Sequence, residues 1–404
     1  MIKTVKAPHI LLPRKGVDWS KYAVIACDQY TSNLEYWNSL KKEIGDKVST
    51  FNMIYPEAYL ENTDNDEYIK KINQNIDNYL KNNDLVDIGE CFVLVERITS
   101  YGVRRLGLVL AVDLEDYSFE KGNKALIRAS EATIVERIPP RLKIRKDADI
   151  ELPHILVLFD DPQKDIVETL YSKRDKLEKV YDFEMNKDGG HIRGYKVDST
   201  KEIIEKFDAL FQRNNNGLLF IVGDGNHSLA TAKAHWDIVK QKLSPEDRVN
   251  HPARFALVEA NNLYDEGIIF EPIHRVMFNV DDKFEKELRE RVDGDFVSFT
   301  YSKENGKKEL RMPKNAPMAY LQVQTFLDEY LKAHPESKID FIHDEEELLS
   351  VADKNNNSIA IAMPALTKED LFDYLATGRV LPRKSFSMGH ANEKRYYLEA
   401  KKIK

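Results

Sequence analysis

Hydrophobic and polar positions change period along this chain, and the change is sharpest across residues 217–243. Residues 218–222, Leu-Leu-Phe-Ile-Val, form an unbroken apolar run with β-branched members, the pattern of a buried strand. From Ser228 the positions Leu229, Ala232, Trp236, Val239 and Leu243 recur at three- and four-residue spacing, which predicts a helix. The polar turn Gly223-Asp224-Gly225-Asn226-His227 joins the two. A second unit of this kind opens the chain. Residues 22–27 read as a strand, Asp28-Gln29-Tyr30-Thr31-Ser32-Asn33 as a polar loop, and a helix starts near Leu34 with Tyr36, Trp37 and Leu40. Loops at strand ends gather binding groups in α/β proteins. The loops after Cys27 and Val222 are therefore expected on the same edge of one mixed sheet, with Asp28 lining the site and Thr31, Ser32 or Asn33 capping the helix.

Between and beyond these units the pattern predicts further elements. A polar helix covers 64–83, and 91–97 with 104–113 make a β-hairpin. Residues 152–159 read as a buried strand ending in Asp160-Asp161-Pro162, acids that suit either Mg²⁺ or the start of a helix at 163–179. A Gly-rich loop at 187–194 exposes His191, a helix spans 200–213, and a strand with a polar end follows His251. From 280 to 375 helices near 282–291, 318–333, 344–352 and 367–375 alternate with strands at 338–342 and 358–363. The class is α/β with α+β character: a mixed sheet flanked by helices, with a smaller α+β lobe. The expected division is 1–198, an α/β lobe with a basic loop, and 199–404, a lobe carrying the glycine turn. The stretch from Arg383 to Arg395 mixes basic, hydroxyl, glycine and His390 functions and is expected to fold back on the site.

Composition narrows the classes. A chain of 404 residues with 42% apolar and 32% charged residues has room for two or three domains with real cores. The net charge of −8 argues against general nucleic-acid binding. Two cysteines, Cys27 and Cys91, imply no disulfide framework and no Cys-x-x-Cys metal site. The opening residues lack a signal-peptide pattern and no run of eighteen apolar residues occurs, so a cytoplasmic protein without membrane partners is expected. The oligomeric state is left open between monomer and homodimer.

Positive charge nevertheless concentrates at 124–146, in Arg128, Arg137, Arg141, Lys143 and Arg145. Arginine's planar fork suits carboxylate or phosphate. The Pro139-Pro140 pair is expected to block regular helix and strand, leaving a fixed loop that turns Arg137 and Arg141 toward a cleft. The competing reading is a solvated basic face paired with Glu131 and Glu136. At the central turn, Gly223 and Gly225 permit positive φ and close approach of a ligand. The helix start offers free N–H groups and partial positive charge to an anion. Asp224 suits a base or metal ligand, and His227 a proton carrier or phosphate donor. The plainer alternative is that Asp224 and Asn226 only cap the helix.

Several stretches together resemble the bacterial and archaeal family known as domain of unknown function 1015. They are Ala26-Cys27-Asp28-Gln29-Tyr30-Thr31-Ser32, Glu136-Arg137-Ile-Pro-Pro-Arg141, Glu151-Leu-Pro-His154 with Asp160-Asp161-Pro162, Gly223 through Ser228, Pro272-Ile-His274-Arg275, and Leu381 through Ser385 with Glu393-Lys-Arg-Tyr-Tyr397. The turn also resembles the Asp-Gly-His-His-Arg motif of ParB/sulfiredoxin-like proteins, among them kinases of free serine, in which the motif opens a helix that holds nucleotide phosphates. Asp224, Gly225 and His227 match; Asn226 replaces the first His and Ser228 stands where the Arg would be. That resemblance implies a phosphotransferase using ATP or ADP with Mg²⁺ on free serine or a related hydroxylated metabolite. Asp224 and His227 would be catalytic, with phosphate or substrate held by Gly223, Gly225, Asn226, Ser228, Asp28 and His390. The missing charge would come from Arg128, Arg137 or Arg141. A nucleotide- or phosphometabolite-sensing regulator and a metal-dependent hydrolase using Asp224, His227 and Asp28 are the alternatives. No Walker-type phosphate loop is present.

Overall fold

A computed structural model describes residues 3–60 and 65–404. The described chain divides into two units, one of residues up to 129 with 133–268 and 390–404, the other of 130–132 with 269–389. Among the described residues, no helix is long and apolar enough to cross a membrane.

The larger unit is built on a mixed sheet of ten described strands. Its order is Glu178–Glu184, His191–Val197, Phe92–Ile98, Arg104–Asp113, Phe255–Asn262, Leu156–Phe159, Phe220–Asp224, Ile127–Ala129 and Tyr117–Ser118, with Val5–Lys6 paired to Arg104–Asp113. The neighbours of Leu156–Phe159 show the mixture: Phe255–Asn262 runs parallel to it and Phe220–Asp224 antiparallel. Strand alternation serves both faces. Val93, Val95 and Val109 join one apolar core, whereas Phe92, Leu94 and Leu108 join the other. The strand at 220–224 therefore sits inside the sheet that the expected division at residue 198 would have split. The loop reached from Val222 and the loop after Cys27 also do not share that sheet. Val24–Ile25 is a two-residue strand that pairs with Tyr396–Tyr397 instead.

Helices flank the sheet. Leu34–Ile44 is capped by Asn33, whose side chain accepts the Tyr36 N–H. The polar helix runs Asn65–Lys81, and position 64 of its expected span lies outside the described residues. Pro139 and Pro140 do not block a helix: Ile138–Arg145 is helical with both prolines in its first turn. Their missing N–H groups would have no intrahelical partner there in any case. The helix expected at 163–179 ends at Ser172, because Glu178–Glu184 carries period-two side chains and pairs with His191–Val197.

The smaller unit is α+β. Its antiparallel sheet has the order Gly306–Met312, Phe296–Ser302, Ser358–Ile361, His274–Phe278 and Lys338–Ile342. Four of its helices are Phe284–Arg291, Ala316–Ala333, Glu345–Lys354 and Lys368–Ala376. Val276, Leu348, Ala352 and Ala360 form part of its core.

Candidate functional site

The glycine turn is shaped by the strand it lies against. Leu156 pairs with Asp224, and Gly225 follows at φ 83° as the residue before the helix Asn226–Val239. A side chain at Gly225 would approach the Ile155 backbone to 3.0 Å in a left-handed conformation, so glycine is required twice over. This packing brings the segment before Leu156, with His154, against the first turn of the helix. Ser228 Oγ lies 3.2 Å from His154 Nε2.

Three more segments converge on His154. Asp28 Oδ2 is 3.4 Å from Nε2, with 30% of the Asp28 side chain exposed. Tyr397 OH is 2.8 Å from Nδ1. That hydroxyl also accepts the Cys27 N–H at 3.2 Å and donates to Cys27 Sγ at 3.1 Å. The ring therefore lies between the Tyr397 hydroxyl at Nδ1 and Asp28 with Ser228 at Nε2, and the Asp28 carboxylate favours its charged form. Burial opposes that charge, but Asp28 beside the ring outweighs it and raises the His154 pKa. Burial likewise opposes ionised Asp28, yet His154, Gln29 and Lys394 hold its carboxyl below the usual range. Burial and the Asp28 charge push the Cys27 thiol up to about 12, so it is no nucleophile near neutral pH.

These groups open into a cavity of about 180 Å³. Its polar wall includes Asp28, Glu57, Arg141, His154, Ser228 and Tyr397; its apolar wall includes Met53, Ile54, Ile72, Ile76, Ile144 and Ile150. Arg141 pairs with Glu57. Burial raises the Glu57 pKa, with Arg141 opposing and Asp28 reinforcing the rise. At the turn, Asp224 Oδ1 accepts the Gly225 N–H at 3.0 Å and Oδ2 lies 3.4 Å from Lys394 Nζ.

The expected site residues therefore divide. Asp28, Asp224, Gly225 and Ser228 gather around the His154 segment, and Arg141 lines the same cavity as Asp28, His154 and Ser228. Gly223 and Asn226 lie on the same strand–helix junction. His227 Nε2 accepts the Ile134 N–H at 3.2 Å. Arg128 is buried in Ile127–Ala129 and donates to the carbonyls of Ala125 and Gly217, the latter before the strand that ends at Asp224. Arg137 is exposed; the expectation that turned it toward a cleft rested on Pro139-Pro140 making a fixed loop, and that segment is helical. His390 is exposed, its ring tilted against that of Tyr101 with centroids 4.7 Å apart. Asp161 is a helix-start acceptor, taking the N–H groups of Asp165 and Ile166 and facing Arg213. In the smaller unit, the backbone N–H groups of Lys384 and Ser385 are used by the Glu131 carboxylate at 3.0 and 2.9 Å. His274 and Arg275 there serve backbone partners separately: Nδ1 of His274 accepts the Met363 N–H, and Arg275 donates to the Lys384 carbonyl.

His154, Tyr397 and Lys394 were not singled out from spacing, although each falls within a stretch that carries the family resemblance. Nothing local marks Glu57. Among the described residues, no three His, Cys, Asp or Glu side chains are grouped to hold a metal ion. Asp28 and Asp224 already face His154 and Lys394.

Comparison with solved structures finds similar chains at low identity. A free serine kinase in complex with AMP is 10% identical, with 73% of this chain and 92% of that chain covered and a TM-score of 0.39. SbnI with a C-terminal truncation, from Staphylococcus aureus, is 11% identical over 70% and 82%, with a TM-score of 0.38. A conserved hypothetical protein from Pyrococcus furiosus is 11% identical over 72% and 90%, with a TM-score of 0.34. No curated protein matches the sequence. The family model described as "Protein of unknown function (DUF1015)" matches residues 11–403, and the chain belongs to that family.

Proposed function

We propose that the larger unit is a phosphotransferase that moves a phosphoryl group from a nucleotide, ATP or ADP, to the hydroxyl of a small metabolite. The supporting observation is the convergence on one cavity wall of a helix first turn, the Asp28 carboxylate and the His154 ring beside it. Ser228 and the helix Asn226–Val239 offer hydrogen-bond donors and partial positive charge to phosphate. Phosphoryl transfer asks the protein mainly for positioning and charge stabilisation. The acceptor oxygen bonds to phosphorus as the bond from phosphorus to the nucleotide's bridging oxygen breaks. The nucleotide leaves one phosphoryl shorter, and the hydroxyl proton passes to Asp28. His154 holds Asp28 in place, and Lys394 offsets negative charge while Asp224 fixes it. His227 anchors the loop at Ile134.

Nucleophilic attack by Ser228 is the weaker reading of the same residues. A general base must accept the serine proton on a free Nε2, whereas the Asp28 carboxylate beside this Nε2 favours its protonated form. The test is calorimetric titration of the protein with ATP, ADP and AMP, with and without Mg²⁺, alongside turnover with serine and related hydroxy compounds. Asp28→Asn is expected to keep nucleotide binding and lose roughly two to four orders of magnitude in turnover. Absence of nucleotide binding under every metal condition overturns the proposal.

A further inference from the structure

An exposed aromatic pair lies on the larger unit outside the cavity. Tyr101 sits in the turn between Phe92–Ile98 and Arg104–Asp113 and is 57% exposed. Its ring and that of the exposed His390 have centroids 4.7 Å apart. Aromatic side chains stabilise a fold by leaving water, and this pair stays in it. The backbone beneath the pair is nevertheless fixed. Asn392 Nδ2 donates to Ser100 Oγ at 3.0 Å and to the Asp188 carbonyl at 3.3 Å, which ties the turn to the segment 390–394. Arg97 holds the same segment through the carbonyls of Asn392, Glu393 and Lys394. Two connections lead from the pair to the site. Ala391–Glu393 is a single 3-10 turn, so His390 and Lys394 are about 8 Å apart along it. Lys394 in turn faces Asp224. The second connection is the loop after Asp28. Tyr30 is left-handed there at φ 51°, a strained conformation for a bulky side chain, and its ring stacks on Tyr36 with centroids 4.1 Å apart. Burial raises the Tyr30 pKa, and Tyr101 and Asp188 add to the rise, which makes the turn and the Asp28 loop neighbours.

We infer that the Tyr101–His390 surface seats the base of the nucleotide, an inference that rests on the phosphotransferase reading. The base stacks on the exposed face of Tyr101, and the phosphates extend toward Lys394 and the start of the helix Asn226–Val239. Four residues of chain between His390 and Lys394 match the reach of a nucleotide from its base to its phosphates. Stacking on an aromatic face distinguishes a planar ring from a bare phosphate chain, because every base has a π-face. The ring of Tyr101, and not its hydroxyl, is the recognising group.

The experiment is calorimetric titration of the full chain with ATP and with inorganic tripolyphosphate, both in the presence of Mg²⁺, for wild type, Tyr101→Ala and Tyr101→Phe. Tyr101 is exposed, so both variants are expected to melt with the wild type. Tyr101→Ala should weaken ATP about five- to 150-fold and leave tripolyphosphate unchanged. Tyr101→Phe keeps the ring and should bind ATP as the wild type does. Unchanged ATP affinity in Tyr101→Ala overturns the inference and leaves the phosphotransferase reading standing. An equal loss for tripolyphosphate overturns it too, because the damage then lies at the phosphates. So does a Tyr101→Phe variant as weak as Tyr101→Ala, which would assign the contact to the hydroxyl. Absence of ATP binding in the wild type removes both this inference and the phosphotransferase reading.

Discussion

His154 has two ring nitrogens and three polar neighbours, and the Asp28 carboxylate among them favours its charged form. The consequence for pH can be signed. Asp28 has a lowered folded pKa, so its contribution is present above about pH 4 and lost as pH falls through the lower folded value. His154 has a raised one, so its contribution is complete below about pH 6.5 and lost as pH climbs through the folded value. Both are in place between roughly pH 4 and 6.5. Thermal melts of wild type and His154→Gln across pH are expected to differ most in that window, by about 1–3 kcal/mol. The gap should narrow at alkaline pH; a gap that widens there contradicts the ion pair. Asp28, Asp224 and Ser228 were legible because each flanks a change of hydrophobic period. His154 and Tyr397 were harder to find: they are buried, lie 243 residues apart and meet only through the fold.

At the level of elements, the helix Ile138–Arg145 shows how proline reads differently by position. Two consecutive prolines signal a break in mid-element, but in a first turn they preset φ and remove donors that have no partner. The same helix carries Arg141 and Ile144 into the cavity, so its existence decides which arginines reach the site. Pro140→Ala is expected to cost only about 0.4–1 kcal/mol, through a freer unfolded chain. Lys143→Pro, at an exposed position inside the helix, should cost about 3 kcal/mol or more and weaken any ligand held by Arg141. Urea unfolding of the two variants checks this, and equal costs would show that the segment is not a working helix. Elsewhere local signals were available but subtle. Val297, Phe299 and Tyr301 alternate ahead of Asn305-Gly306, a hairpin turn signal, and the structure has the hairpin Phe296–Ser302 with Gly306–Met312. Period two also runs through Tyr181, Asp182, Phe183 and Glu184, hidden by the helical start at Val167.

At the scale of the molecule, the larger unit is closed by residues 390–404; the polar mixture between Arg383 and Arg395 pointed to a return of the chain, but no local pattern named the strands it pairs with. Tyr396–Tyr397 pairs with Val24–Ile25, Lys401–Lys402 pairs with Ile150–Glu151, and Leu11 bridges Ala400. Arg97 donates to the carbonyls of Asn392, Glu393 and Lys394 at 2.7, 2.8 and 2.6 Å, which fixes the backbone that presents Lys394 to Asp224. Arg395 lies between Glu259 and Glu399 at 2.8 and 2.7 Å, all three buried. A chain ended at residue 389 would leave Glu259 buried without its arginine, a loss of about 3–5 kcal/mol. It would also lose apolar burial at Leu398 and Ile403, about 1.5–3 kcal/mol each. Against a typical total of about 5–15 kcal/mol, that shortened chain is expected not to fold cooperatively. Tyr397→Phe separates architecture from chemistry. It keeps the buried ring and removes the hydroxyl that orders the Cys27 and His154 protons, so it should melt cooperatively, about 1–2 kcal/mol below wild type. Its His154 should titrate at a changed pH, read from the imidazole proton resonances. A cooperative melt for the shortened chain near the wild-type temperature would show that this stretch is an appendage, and an unchanged His154 titration in Tyr397→Phe would remove the hydroxyl from the network.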